Sequence, residues 1–492
     1  MHHITLSRGA SALALAVIIA ATPAVAVEFL PTTLDNPDPQ PNAGFGHAMA
    51  GVGDIDGDGT ADFLVGARFQ DVDGNTDQGR VYLYSGADLS VLRTIENPVP
   101  QSGASFGRWV SRAGDVDRDG VPDLFVGTPF QTIDGNFQQG FAHLFSGATG
   151  ELIYEFNDPE GQPAGHYGLS VSGVGDLNDD QVPDLFVGAH FKDIDGSIDQ
   201  GEAYIYDGAT GELTLTLTTP EPVAGAFYGF PVDKIGDVNG DGTADLLIGA
   251  VFYPVDGNLG QGRAFVQSGV DGSIIHILDT PNPQPNGGFG RSLEAINDIN
   301  GDSVPDIVVG AHLHAVDGKP GVGQVFVYSG ASGDLLMTID SPEGAKGAWF
   351  GLPVSSTADV DGDGTSDILV GAAFERGNTP YPQGRAYIFS GASGRLVQVL
   401  RNPEPQAGAQ FGFKIEPVGG DLNGDGVPDL LVGAFRHDVE APAQHLGMPQ
   451  DAMPAAHCPM DRLPARRPLA APGAEGNENA GRAFVYLSSP ES

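Results

Sequence analysis

An all-β chain arranged as a seven-bladed β-propeller is the fold this sequence predicts, and three observations carry that expectation. The dipeptide Phe45-Gly46 recurs as Phe106-Gly107, Tyr167-Gly168, Tyr228-Gly229, Phe289-Gly290, Phe350-Gly351 and Phe411-Gly412, each 61 residues after the one before. Self-similarity at a fixed period marks an array of stacked units. Each copy, about 61 residues long, holds four short strand-like runs; in the first copy they lie near 47–53, 62–68, 80–85 and 91–96, separated by Gly, Pro, Asp or Asn turn clusters. Composition agrees, because Gly 72 and Pro 37 in 492 residues, with 8% aromatic, leave no sustained helical period and exclude a helical bundle.

Taken from the N-terminus, Arg8 precedes an apolar run from Ala10 to Ala21, and Ala24-Val25-Ala26 has the small-x-small pattern of a signal-peptidase site. Residues 1–26 therefore read as a signal peptide cleaved near Ala26, the apolar run being short of the roughly 20 residues a bilayer span needs. A secreted or periplasmic protein is expected. Cys458 is the single cysteine, so no intrachain disulfide can form, and bound metal is the other available cross-link. Residues 27–492 are read as the propeller. Its first segment, Thr33-Leu34-Asp35-Asn36-Pro37, has the pattern of a fourth strand and its Pro-rich turn, whereas the last repeat stops after a third strand, Ala483-Phe484-Val485-Tyr486. The N-terminal strand is thus expected to complete the last blade and close the ring, which removes exposed strand edges. Within blade 7, 437–479 is a Pro/Ala-rich loop insertion whose His445, Met448, Met453, His457, Cys458 and Met460 would suit copper as soft ligands. Its biased composition favours an unstructured loop, with a lid or docking arm over the upper face as the alternative.

Between the first and second strands of every copy lies an acidic loop. The first reads Asp54-Ile55-Asp56-Gly57-Asp58-Gly59-Thr60-Ala61-Asp62. Oxygens at positions 1, 3, 5 and 9, with the backbone carbonyl at position 7 (Thr60), can wrap a hard cation, while glycine at position 6 permits the sharp turn. The same positions hold Asp115, Asp117, Asp119, Val121 and Asp123 in the second copy, and Asp176, Asn178, Asp180, Val182 and Asp184 in the third. They hold Asp237, Asn239, Asp241, Thr243 and Asp245 in the fourth, and Asp298, Asn300, Asp302, Val304 and Asp306 in the fifth. The sixth and seventh supply Asp359, Asp361, Asp363, Thr365 and Asp367, and Asp421, Asn423, Asp425, Val427 and Asp429. Up to seven structural Ca²⁺ ions are expected. The third and fifth copies place Gln181 and Ser303 at position 6, so their turns must reach positive φ without glycine and bind more weakly. A strand pattern follows each loop, where a true EF-hand would continue into a helix.

Phe-Gly, then Gly-Asp-x-Asp-Gly-Asp-Gly-x-x-Asp, then the Gly-Ala element at Gly66-Ala67, Gly188-Ala189, Gly249-Ala250, Gly310-Ala311, Gly371-Ala372 and Gly433-Ala434 resembles the FG-GAP repeat of the integrin alpha-subunit β-propeller. The resemblance extends over residues 29 to 492 and implies the propeller, calcium in the lower loops and ligands on the upper face. The second copy departs, with Gly127-Thr128-Pro129. The chain is expected to lack the leg, inserted adhesion domain, transmembrane helix and tail of integrin alpha subunits. The resemblance therefore does not extend to integrin-type signalling, and the missing glycosylation sequons suit a bacterial secreted or periplasmic homologue.

Charge narrows the partners. Lys+Arg 23 against Asp+Glu 64 gives a net charge of −41, which excludes a duplex-binding surface and disfavours an anionic membrane. Two positions vary between copies near the expected upper strand ends, the one after Phe/Tyr-Gly and the one after Gly-Ala. From these, Arg68, Arg108, His190, Arg291 and His312 form a candidate cationic ligand site, suited to an acidic sugar, carboxylate or phosphate; local pairing with the abundant Asp and Glu is the bland alternative. Gly103-Ala104-Ser105-Phe106-Gly107 matches a hydrolase pattern, but it sits in a repeat turn without the strand-to-helix context of a nucleophile elbow. The leading expectation is a non-enzymatic, calcium-binding extracellular module, acting in adhesion or recognition of a protein or glycan ligand, as a monomer or as a subunit of a surface complex. An extracellular polysaccharide lyase or hydrolase, or a structural subunit of an envelope complex, are the alternatives.

Overall fold

The computed structural model describes residues 27–376, 381–437 and 480–490. Residues 1–26 and all but the first residue of the 437–479 insertion, with its candidate copper ligands, lie outside them. Twenty-eight strands form seven four-stranded sheets, and no helix occurs among the described residues. The first complete blade is β2 (Phe45–Gly53), β3 (Asp62–Ala67), β4 (Arg80–Tyr84) and β5 (Val91–Ile95), paired antiparallel in that order. The expected runs were met to within a residue or two. The last blade is assembled from both ends of the chain: β1 (Val27–Asp35) pairs antiparallel with β28 (Arg482–Pro490), Leu34 opposite Ala483, so the ring closes as the repeat arithmetic requires.

The second strand of each blade is buried along its whole length, as Asp-Phe-Leu-Val-Gly-Ala at β3 shows. Both of its faces pack against neighbouring sheets, which is why these runs are continuously apolar rather than alternating. The cores accordingly lie between blades: Leu64, Val81 and Ile95 of one meet Phe106, Val110 and Leu124 of the next.

The Phe-Gly and Gly-Ala pairs make those inter-blade joints. The N–H of the aromatic residue donates to the blade before it in all seven copies, as Phe106 to Gln78 (2.8 Å), Phe289 to Gln261 (2.9 Å) and Phe45 to Ala480 (3.0 Å). A Cβ on Gly66 would stand 2.4 Å from the carbonyl oxygen of Gly107, and one on Gly433 would stand 2.2 Å from that of Gly46. Any side chain there would force the sheets apart, so the motif is the signature of two backbones in contact.

Candidate functional site

The acidic loop and the turn between third and fourth strands share one end of each blade, here called lower. The loop between second and third strands and the crossover to the next blade share the upper end. Candidate binding groups fall in three places: the lower loops, the upper loop tips and the axial channel.

In the lower loops the position 1 and position 9 carboxylates organise the backbone. Asp54 Oδ1 accepts from the N–H groups of Gly57 (2.7 Å) and Asp58 (3.1 Å), and Oδ2 from Gly59 (2.9 Å). Asp62, fully buried, accepts from Ile55 (2.7 Å) and Asp56 (3.3 Å) on one oxygen and from Gly86 of the lower turn (3.0 Å) on the other. The same pair of contacts recurs at Asp123, Asp184, Asp245, Asp306 and Asp367, and at Asp429, where Ser488 of the closing strand replaces the glycine at 2.6 Å. Burial pushes Asp123 and Asp184 up to about 6 and Asp367 up to about 7, with backbone N–H groups partly offsetting it. At Asp237 and Asp298 the backbone N–H groups of Gly242 and Ser303 hold the carboxyl below its ordinary value.

Carboxylate oxygens of Asp54, Asp56 and Asp58, of Asp115, Asp117 and Asp123, and of Asp359, Asp361 and Asp367 each lie within 4.8 Å of one another. Oxygens at that separation fit around one cation with metal–oxygen distances of roughly 2.3–2.6 Å. These are the three copies with aspartate at all four side-chain positions; the other four carry asparagine at position 3. Gln181 (φ 68) and Ser303 (φ 72) do adopt the left-handed conformation expected of them. A second such position escaped the sequence reading. Position 4 is left-handed in every loop, and there Arg118 (φ 63) and Asp179 (φ 64) replace the glycine found in the other five.

At the upper end, Phe137, Ile198 and Leu259 are 63%, 63% and 70% exposed. They occupy one register position in three consecutive blades, 61 residues apart, at the tip of the same loop. Each tip is held rather than floating, its carbonyl accepting from the crossover beyond it: Phe137 from Ala164 (2.7 Å), Ile198 from Gly225 and Leu259 from Asn286 (both 2.8 Å).

The first strands β2, β6 (Trp109–Gly114), β10 (Ser170–Gly175), β14 (Tyr228–Ile235), β18 (Phe289–Ile296), β22 (Val354–Thr357) and β26 (Lys414–Pro417) touch in sequence round a closed ring. They enclose an axial cavity of about 600 Å³. Of the five candidate ligand residues, the structure brings Arg108 and Arg291 together on that wall, beside His47. Arg68 lies over the Phe69 ring at 4.1 Å, His190 packs against Phe191 at 4.1 Å, and His312 packs against Trp349 at 5.4 Å. All five are buried, at 6% exposure or less, where an upper-surface patch was expected. Burial, then Arg291, pushes His312 down to about 3, so it contributes no positive charge.

Closed blades, inter-blade glycine joints and acidic lower loops define an FG-GAP-repeat β-propeller, and the FG-GAP repeat family matches residues 45–84, 106–145, 289–328 and 353–389. More particularly, its repeats are similar to those of integrin alpha subunits. The chain is 33% identical to integrin alpha-PS2 of Drosophila melanogaster over 220 residues, 41% of this chain and 15% of that protein. It is 31% identical to integrin alpha-5 of Xenopus laevis over 230 residues, 44% and 20% of the two chains. It is also 29% identical to phosphatidylinositol-glycan-specific phospholipase D of Bos taurus over 214 residues, 40% and 25%. The matched segments thus span a quarter or less of these relatives. No helix among the described residues is long and apolar enough to cross a membrane.

Proposed function

We propose that this chain is a secreted, calcium-stapled binding module whose upper face docks a protein partner in adhesion or surface recognition. The observation that carries the reading is the row Phe137, Ile198 and Leu259, three large apolar side chains held out to solvent on adjacent blades. Exposed apolar side chains grouped on one rigid face are the usual mark of an interaction site. Asp134, Asp195 and Asp256 stand in the turns beside them, so the fitting partner is an apolar patch rimmed by Lys and Arg. The relatives include integrin subunits, consistent with a protein ligand or subunit partner. Ca²⁺ suits the lower loops because their donors are carboxylate and carbonyl oxygens in a closed wrap, whereas Mg²⁺ keeps more of its water. Bound there, calcium supplies positive charge that relieves carboxylate repulsion, and these residues hold loop shape.

The test is to pass the purified chain, with calcium, over immobilised matrix proteins and acidic glycans, recording retention and released product together. Retention without product, lost in the triple variant Phe137→Ser, Ile198→Ser, Leu259→Ser, is the expected result. Unchanged retention by that variant would overturn the docking face, and product release would turn the assignment toward an enzyme.

A further inference from the structure

The axial channel reverses the charge of the chain around it. The protein carries −41 overall, yet among the described residues five Lys/Arg against three Asp/Glu line the channel. The charges are layered along the axis. At the upper mouth stand Arg108 and Arg291, each immediately after its Phe/Tyr-Gly, with Lys414 on the same wall. Between them is His47, 4% exposed, wedged against Phe413 and Phe435 at 5.1 Å each, its Nδ1 without a hydrogen-bond partner among the described residues. Burial, then the positive charges of Arg68, Arg108, Arg291 and Lys414, hold this imidazole neutral. An unpaired nitrogen inside a ring of cations is costly unless a ligand meets it.

One layer deeper, a single register position runs round the ring as Ala50, Ser111, Ser172, Asp233, Glu294, Ser355 and Glu416. Six of the seven are hydroxyls or carboxyls. Glu416 is engaged, pairing with Lys414 and accepting from Ser355 Oγ at 3.1 Å, and Ser172 Oγ reaches Asp233 at 3.5 Å. The Glu294 carboxyl has no hydrogen bond or ion pair among the described residues. It faces Asp233 and Lys234 from one side and Lys414 and Glu416 from the other, and enclosure followed by the two carboxylates raises its pKa well above the ordinary value. That placement favours the acid form, which can donate a hydrogen bond where the carboxylate would repel an anion.

We propose that the channel binds one small hydroxylated carboxylate, of the sugar-acid class, with its carboxylate at Arg291, Lys414 and His47 and its hydroxyls at the Ser/Glu294 ring. A cavity of about 600 Å³ suits a single small molecule. The site is distinct from the apolar tips: it lies inside the ring, and its occupant is too small to be the docking partner. Arg–carboxylate recognition sets the orientation, and hydroxyl-matching groups set the class.

Calorimetric titration of the calcium-loaded full chain tests it, with glucuronate as probe and glucose and inorganic phosphate as the other arms. Glucuronate should bind one per chain, and Arg291→Gln and Lys414→Met should each weaken it about tenfold or more. Lys414→Met, at a half-buried position, keeps the test open if the Arg291 variant fails to fold. Binding should weaken as pH rises, because Asp233, pushed up to about 6 by burial, and Glu294, raised by enclosure, ionise and repel the ligand, and Glu294→Gln should flatten that profile. The apolar-tip triple variant should bind glucuronate unchanged, which separates this site from the docking face. No binding of glucuronate to folded protein, equal binding of glucose or phosphate, or unchanged affinity in both cation variants would overturn the proposal.

Discussion

The lower loops of blades 1 and 3 reach the same shape from different residues. In blade 1 the two left-handed positions are Gly57 (φ 80) and Gly59 (φ 91); in blade 3 they are Asp179 (φ 64) and Gln181 (φ 68). The bonds around them scarcely differ. The position 6 N–H reaches the position 1 carboxylate at 2.9 Å from Gly59 and 2.7 Å from Gln181, and the position 5 N–H does so at 3.1 Å in both. Position 2 donates to the buried position 9 carboxylate at 2.7 Å from Ile55 and 2.8 Å from Leu177. Backbone donors converging on two carboxylates therefore set the loop, and glycine only lowers the strain of adopting it. A side chain in the left-handed region costs about 1–2 kcal/mol, which several charge-assisted bonds outweigh.

The comparison breaks first at position 9. Asp62→Ala and Asp184→Ala should each destabilise by about 3 kcal/mol, since each strands buried N–H groups, read by urea unfolding in EDTA; a loss confined to blade 1 would refute the shared architecture. Next comes calcium. Chelation should lower the melting temperature markedly, each site held at a hundredfold above its Kd giving up about 2.7 kcal/mol of stability, and an unchanged melt would sink the staple. Native mass spectrometry during calcium dilution should show the blade 3 and blade 5 ions leaving before those of blades 1, 2 and 6, because those loops carry fewer carboxylates and strained turns. Gln181→Gly should then stabilise the chain by about 1 kcal/mol and Gly59→Gln destabilise it by a similar amount. Asn178→Asp should be the smallest, a rise in calcium affinity of the third loop, with stability in EDTA lowered by about 0.5–1 kcal/mol because the exposed amide's donation to Asp207 at 3.0 Å is lost.

Ring closure, strand order and the shape of the lower loops were legible in the sequence because repetition multiplies a weak signal: one Asp-Gly turn means little, seven in one register mean a built loop. Position 4 is not legible from ligand spacing, because it supplies no ligand oxygen and left-handed backbone has no unique residue type when Arg118 and Asp179 can adopt it. Phe137, Ile198 and Leu259 were visible at the same spacing, yet single apolar residues in a loop carry no weight until their exposure is known. Arg68, His190 and His312 show the reverse. Placing them near the upper ends was possible from the register, but their burial depends on aromatic neighbours brought in from adjacent blades, such as Phe230 against His190 at 5.2 Å. Contacts between units leave no mark in a comparison of units with one another.

The clasp of β1 with β28 has a consequence for how the molecule comes together. Each of the other blades is built from neighbouring chain and can form through short-range hairpins. Blade 7 must join Val27 to Pro490 across nearly the whole polypeptide, an encounter whose loop entropy is the largest in the fold and whose rate is correspondingly slow. Six blades can therefore be in place while the seventh still waits for its outer strand. During that interval the open ends of the arc are the surfaces most exposed to wrong partners, a second copy of the same strand among them.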